Sequence, residues 1–208
     1  RTKIEYGNGT VTEYEYDALN RLSKIKYLLS AENLVTALST TYNYDELSRL
    51  TSAINEAGTV SLTYDNRSRL KTETDIFGHV IEYGYDANSN RVLLKLDGAS
   101  DATYTYDDSN RLKTIINVDD NTTTTYDYDF ANRLTSRLLP NGITTTYNYD
   151  GMSRLTRLKD ATAAATIFDR QYSYDNASRI NQIAESTGTR TFGYDDVNRL
   201  TSATDSIL

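Results

Sequence analysis

The chain contains no cysteine and no tryptophan, and only one proline, one histidine and one methionine in 208 residues. Without cysteine there are no disulfides, no thiolate nucleophiles and no cysteine-ligated zinc or iron–sulfur sites. The single histidine, His79 in IFGHVIEY, cannot alone build a histidine-rich metal site. No motif supplies the serine and carboxylate of a catalytic triad beside it, so it is expected to be an ordinary turn or strand residue. No apolar run approaches the roughly 18 residues of a membrane span, and residues 1–20 lack the successive regions of a signal peptide. Large apolar residues are scarce as well: Leu, Ile, Val and Phe number 44 of 208, close to the roughly 20% below which disorder becomes the default reading. Basic residues fall short of acidic ones, 22 against 29, for a net charge of −7. That balance disfavours a phosphate-backbone partner, so neither nucleic-acid binding nor membrane insertion is expected.

What the chain has instead is 18 tyrosines and 30 threonines, both strand formers. Most of the tyrosines fall into a pattern that recurs nine times. Each copy has a Tyr-Asp step followed by an Arg: Tyr16, Asp17, Arg21; Tyr44, Asp45, Arg49; Tyr64, Asp65, Arg69; Tyr85, Asp86, Arg91; Tyr106, Asp107, Arg111; Tyr128, Asp129, Arg133; Tyr149, Asp150, Arg154; Tyr174, Asp175, Arg179; and Tyr194, Asp195, Arg199. The Arg follows the Asp by four residues, or by five in the fourth copy, YDANSNRV. Successive motif tyrosines are 28, 20, 21, 21, 22, 21, 25 and 20 residues apart.

Two residues before each motif Tyr stands another large side chain, as in TTTYNYD at 144–150, and 16 of the 18 tyrosines belong to the repeat. A spacing of two puts both rings on one face of a strand, so each copy contributes one aromatic pair to a ladder. After Tyr-Asp the chain must reverse. The residue before Arg is Asn or Ser (Asn20, Ser48, Ser68, Asn90, Asn110, Asn132, Ser153, Ser178, Asn198). Asn tolerates the left-handed conformation a tight loop needs, and the Asp can accept backbone N–H groups across it. The returning strand starts at Arg-Leu and often places a second apolar residue three positions on, as with Leu22 and Ile25 or Leu155 and Leu158. Three breaks strict alternation, which predicts a bulge or strong twist in that strand.

A glycine thirteen or fourteen residues after the motif Tyr (Gly58, Gly78, Gly98, Gly142, Gly188) marks a second turn, and Asn141-Gly142 is a direct hairpin signal. Each repeat thus encodes strand, turn, strand, turn. The whole is expected to be all-β: antiparallel β-hairpin repeats forming one continuous spiralling sheet of about eighteen short strands, a single array over residues 1–208. Two intervals are expanded: residues 27–39, with the alternatives of a helical turn or a longer hairpin, and 160–168. Both are expected to be loops on one side of the array and candidate recognition elements, with an elongated hairpin the simpler reading. The opening RTKI before Asn8-Gly9 reads as the second half of a repeat, and neither end looks like a cap. The chain therefore reads as a segment of a longer array or as a subunit joining others end to end.

With nine copies in view, the sequence resembles the RHS or YD-repeat family, found in Rhs polymorphic toxins, insecticidal toxin complex C components, wall-associated proteins and teneurins. The family pattern is Tyr-Asp-x-x-Gly-Arg-Leu, a Gly turn and a Tyr-x-Tyr-Asp return. This chain departs from it in carrying Asn or Ser where the family typically has Gly. The resemblance implies a β-ribbon wound into a hollow shell, which in the toxin branches encloses a C-terminal effector released by an Asp-, Pro- and Gly-rich core. The only proline here, Pro140 in LLPNGI, stands in an ordinary turn context, so autoproteolysis is not carried over.

Recurring carboxylates can suggest a calcium array, but such arrays supply several oxygen ligands per turn, whereas here each Asp comes with its own Arg. Regular Tyr and Arg could form a stacking surface for single strands or sugars. A packing ladder of cross-strand pairs explains the tyrosines more simply. No catalytic residue, metal or cofactor is expected. The leading expectation is a noncatalytic wall of an exported bacterial shell, extracellular or at the cell surface, whose partner is a polypeptide cargo or a flanking domain. A glycan-binding adhesion module, and a tube or filament built by head-to-tail self-association, are the alternatives.

Overall fold

The structure, a computed structural model, describes residues 2–28 and 36–206. Among the described residues are nineteen strands and no helix. The chain divides into two compact units, Arg1–Thr103 and Tyr104–Leu208. The first unit contains β1 (Lys3–Glu5), β2 (Val11–Tyr16), β3 (Leu22–Leu28), β4 (Thr36–Tyr44), β5 (Leu50–Asn55), β6 (Gly58–Tyr64), β7 (Leu70–Thr74), β8 (Val80–Tyr85), β9 (Arg91–Leu96) and the start of β10 (Ala99–Tyr106). The second contains β11 (Leu112–Asn117), β12 (Thr122–Tyr128), β13 (Leu134–Leu138), β14 (Thr144–Tyr149), β15 (Leu155–Ala161), β16 (Thr166–Tyr174), β17 (Ile180–Glu185), β18 (Gly188–Tyr194) and β19 (Leu200–Asp205).

Strands β1 to β10 pair antiparallel with their sequence neighbours, and so do β11 to β19. The fold is all-β and built of antiparallel hairpin repeats. Nine motif copies give eighteen strands; the nineteenth is β1, the half repeat at the start.

The apolar spacing of three has a direct cause in the register. Tyr14 stands opposite Ile25 and Tyr16 opposite Leu22, with a shift between Glu15 and Tyr16 that leaves Ser23 as the extra residue on β3. The bulge absorbs one residue, so Leu22 and Ile25 face the same way although they are three apart. The same shift, one residue before the motif Tyr, recurs at Tyr44, Tyr64, Tyr85, Tyr128, Tyr149, Tyr174 and Tyr194.

Among the described residues, strand contacts run only between neighbours in the ladder, so each unit is a single layer without a second sheet to bury against. Burial reflects this: among the described residues Val11 and Leu28 are the buried apolar ones and Thr12 and Thr145 the buried polar ones. One face carries rings and aliphatics, such as Tyr147 opposite Leu158 and Tyr172 opposite Ile183. The other carries hydroxyls and charge, such as Thr146 opposite Lys159 and Ser173 opposite Gln182. A half-covered aromatic face replaces a thick aliphatic core, which is how the chain folds with so few large aliphatics.

The second turns differ among themselves. Asp97 and Gly98, with φ of 49° and 84°, join β9 to β10 as a two-residue loop in which both residues are left-handed, the geometry of a type I′ turn. Gly142 (φ 80°) instead closes a five-residue turn in which Leu139 N–H bonds Ile143 C=O at 2.9 Å. The expanded segment 160–168 is an elongated hairpin: β15 and β16 pair out to Ala161 and Thr166, and Thr162 N–H closes the loop on Ala165 C=O at 2.8 Å. Of the other insert, 27–39, residues 29–35 lie outside the described residues. On either side of them β3 and β4 pair, Leu28 against Thr36.

Candidate functional site

The nine motif tyrosines are the last residues of β2, β4, β6, β8, β10, β12, β14, β16 and β18. The Tyr-Asp turns therefore line one edge of each unit's ladder, and the turn after Tyr149 shows how one is made. Asp150 Oδ1 accepts the backbone N–H groups of Met152 and Arg154, both at 2.9 Å, while Oδ2 accepts Arg154 Nε at 2.7 Å. The Asp150 N–H donates to Arg154 C=O, and the Ser153 N–H donates to Asp150 C=O, both at 3.0 Å. Ser153 is left-handed at φ 63°. One carboxylate thus satisfies two backbone donors that the reversal would leave unpaired and also holds a guanidinium. Eight copies share the Arg Nε to Asp Oδ2 bond, at 2.6–2.8 Å.

These contacts hold the motif aspartates below the ordinary carboxylate range. At Asp65 the Arg69 side chain, followed by the Arg69 N–H, brings the value down to about 2. At Asp150 the backbone N–H of Arg154 is the leading cause. Burial of the rings raises Tyr128, Tyr149 and Tyr174 above the usual phenol value.

The fourth copy corrects the reading from sequence. There the left-handed residue is Ser89 (φ 72°), not Asn90. Asn90 occupies the arginine position, giving its N–H to Asp86 Oδ1 at 2.8 Å and its side-chain amide to Oδ2 at 2.9 Å. Arg91 stands opposite Tyr85, the place held by Leu22 opposite Tyr16. The turn keeps its usual length, because a neutral amide can serve the same carboxylate that a guanidinium serves elsewhere. Nothing is inserted between Asp86 and the position that answers it.

Among the described residues, seven motif arginines also reach forward into the next hairpin. The Arg133 guanidinium lies over the Tyr149 ring, 4.7 Å from its centroid, and its Nη1 donates to Asp150 C=O at 3.2 Å and Ser153 Oγ at 3.1 Å. The Tyr149 hydroxyl returns a hydrogen bond to Leu134 C=O at 3.0 Å. Seven such staples join Arg21 to Tyr44, Arg49 to Tyr64, Arg69 to Tyr85, Arg111 to Tyr128, Arg133 to Tyr149, Arg154 to Tyr174 and Arg179 to Tyr194. Guanidinium-to-ring distances are 4.5–4.8 Å. The tyrosine hydroxyl to Leu or Ile C=O distances are 2.7–3.0 Å.

Nη1 meets a Ser or Asn side-chain oxygen at 2.9–3.2 Å in all seven. That oxygen belongs to the left-handed residue of the following turn. Reading Asn and Ser only as left-handed residues misses this second role; the signal available was that both carry an oxygen where the family pattern has Gly. A test separates the two roles. Ser153→Asn keeps the acceptor, as Asn132 does for Arg111 at 2.9 Å, and Asn visits the left-handed region more readily. It is expected to stabilise the chain by about 0.5–1 kcal/mol in urea denaturation, whereas Ser153→Ala, which removes the acceptor and keeps the strain, is expected to destabilise it.

A motif ring that carries a guanidinium on its face is not an open platform for a sugar. Outside the staples, His79 Nδ1 lies 2.8 Å from Asp97 Oδ2, and Asp97 Oδ1 accepts the Val80 N–H at 2.7 Å. The hydrogen bond to Asp97, reinforced by the charges of Asp97 and Asp75, raises the imidazole above its ordinary value. The group is exposed and joins the second turn of its repeat to the next. Among the described residues no cluster of three metal-capable side chains forms.

The family model described as RHS Repeat matches residues 128–165, the stretch that holds the Arg133–Tyr149 staple. That stretch is an RHS repeat by this match. Among solved structures, TcdB2-TccC3 without its hypervariable C-terminal region aligns over 98% of this chain at 14% identity with a TM-score of 0.80. TcdB2-TccC3-Cdc42 aligns over 98% at 14% identity and a TM-score of 0.59. A variant Tc holotoxin pore of Photorhabdus luminescens aligns over 98% at 16% identity and a TM-score of 0.56. The chain spans only 12–13% of the length of these proteins. No curated protein matches it. At these identities the likeness is one of fold.

Proposed function

We propose that this RHS array is a noncatalytic wall segment of an exported bacterial β-shell, which encloses or presents another polypeptide in the manner of toxin encapsulation. The observation that carries this reading is the consumption of the motif chemistry in joining repeats. Asp oxygens close the turns, Arg guanidinia bridge to the next hairpin, and Tyr hydroxyls return to the previous one. Groups so engaged are held in contacts between and within hairpins rather than gathered around a cleft. The fold likeness to part of TcdB2-TccC3 supports a wall, and the partner is then cargo or a flanking domain of the same polypeptide. The fold likeness to parts of toxin complexes supports export to the extracellular space or cell surface.

The test is a chimera in which residues 1–208 replace the matching stretch of TcdB2-TccC3. The expected result is an assembled complex whose hypervariable C-terminal region resists protease, with protection lost on Tyr149→Ala. A chimera that forms the complex but leaves that region as sensitive as in isolation would overturn enclosure.

A further inference from the structure

We infer that the Tyr-Asp turn of the third copy binds one phosphate dianion, as the free ion or as a monoester. The inference goes beyond the wall reading and does not depend on whether the wall encloses anything.

It starts from a local excess of positive charge in a chain of net charge −7. An open cavity of about 400 Å³ on the Tyr-Asp edge of the first unit is lined by Tyr64, Asp65, Asn66, Arg67, Arg69 and Lys71. The strands that carry it, β6 and β7, pair with each other and with β5 and β8, so the cavity lies within the ladder.

Two of its four charged side chains are used by the fold. Asp65 Oδ2 accepts Arg69 Nε and Nη2, both at 2.7 Å, and Oδ1 accepts the backbone N–H groups of Arg67 and Arg69 at 2.8 and 3.0 Å. Arg69 Nη1 reaches the next turn, meeting Asp86 C=O at 3.1 Å and Ser89 Oγ at 3.2 Å. These two charges cancel. Arg67 and Lys71 remain, both exposed and neither with a carboxylate partner among the described residues. Arg67 Nη1 donates to Ala87 C=O at 2.7 Å, which fixes the guanidinium across to the fourth copy. Its Nε and Nη2 have no acceptor among the described residues.

The motif requires neither cation. At the Arg67 position the other eight copies carry uncharged residues, such as Leu47 and Met152. Lys71 is the extra residue of the bulge at Tyr64, where Ser23 stands in the first copy. Their two charges match a phosphate monoester, which carries about −1.5 to −2 near neutrality. The arginine offers a planar fork of donors and the lysine a mobile point charge, a pair suited to the oxygens of one tetrahedral group, and Asn66 adds an amide donor. A longer phosphate backbone does not fit, because the flanking turns add no surplus cation. Glu46 stands in the preceding turn, and in the following one Asp86 is answered by the neutral Asn90. Glu46 is one hairpin away, about 10 Å, where about 0.1 M salt screens most of its repulsion.

The experiment titrates the full isotope-labelled chain with N-acetyl-phosphoserine amide, and separately with inorganic phosphate, at constant ionic strength, following backbone amides by NMR. Saturable shifts centred on residues 65–71 are expected. Binding of both probes supports a site open to esters, and binding of inorganic phosphate alone supports a site for the free ion. Arg67→Ala and Lys71→Ala are each expected to weaken binding about tenfold. Lowering the pH from about 7 to about 5, which protonates the ester, should weaken it several-fold. Lys113→Ala, which removes the lysine following Leu112 as Lys71 follows Leu70, should leave it unchanged. Circular dichroism of the variants should match the parent, because the side chains are exposed. Shifts without saturation, equal affinity for acetate, or affinity unchanged in both Arg67→Ala and Lys71→Ala would overturn the inference.

Discussion

Replacing Tyr149 by alanine is expected to lower stability by about 3 kcal/mol in urea denaturation, and replacing it by phenylalanine by about 1 kcal/mol. The ring is half-buried between hairpins and has the Arg133 guanidinium 4.7 Å over its face. Truncation removes the apolar contact, the cation–π attraction and the bond from its hydroxyl to Leu134 C=O, whereas phenylalanine forfeits only the last. The single-layer sheet keeps part of the ring in water, which places the alanine cost at the low end of the range for buried aromatics. Tyr27, outside the motif and 45% exposed, provides the contrast; Tyr27→Ala is expected to cost about 1 kcal/mol or less. Equal losses at the two positions would mean that the staples do not hold the repeats together. Because each hairpin touches only its neighbours, the loosening should appear first in hydrogen exchange of β13 and β14, then spread along the second unit.

How far the fold could be read from residues alone depends on the range of the interaction concerned. The hairpin and its bulge are local, and both leave a mark in the spacing. Tyr14 and Tyr16 are two apart, Leu22 and Ile25 three apart, and only an extra residue between the latter lets all four share a face. The left-handed residue is local too, and Asn or Ser before Arg marks it in eight copies. In the fourth copy residue type misled: Arg91 was matched to the motif by identity, while the register gives that role to Asn90, whose amide meets Asp86 as a guanidinium would. The staple was not legible in this way, because it joins residues of different hairpins, such as Arg154 and Ser178, 24 apart. Its traces along the chain are an interval of 20–28 residues and a Ser or Asn oxygen before Arg, and neither says which atoms meet. His79 was legible as a turn residue, but not its partner Asp97, which lies across the following hairpin.

Acid should unfold the array through the same turns. All nine motif aspartates are held below their ordinary value. At Asp17 the leading cause is the side-chain bond from Arg21, at Asp45 the backbone N–H of Arg49, and at Asp86 the side-chain amide of Asn90. A carboxylate depressed in the folded state binds its proton more readily when unfolded. Its stabilisation is therefore complete above the unfolded value of about 3.9 and is lost as pH falls through the folded value, which at Asp65 is about 2.

Two effects compete below neutrality. Protonating other carboxylates first relieves the repulsion of a chain with net charge −7, which favours the fold down to about pH 5. Below about pH 4 the nine turns all act in the opposite direction: each protonation weakens a backbone reversal, and in seven of them also the anchoring of the Arg that staples the next hairpin. The β-sheet signal in circular dichroism is thus expected to be flat from pH 7 to about 5 and to fall between about 4 and 2. Asp150→Asn, which keeps an oxygen for the backbone N–H groups but has no proton to take up there, should be less stable than the parent at pH 7 and converge with it at low pH. A chain whose sheet signal at pH 2 equalled that at pH 7 would show that the aspartates do not hold the turns closed.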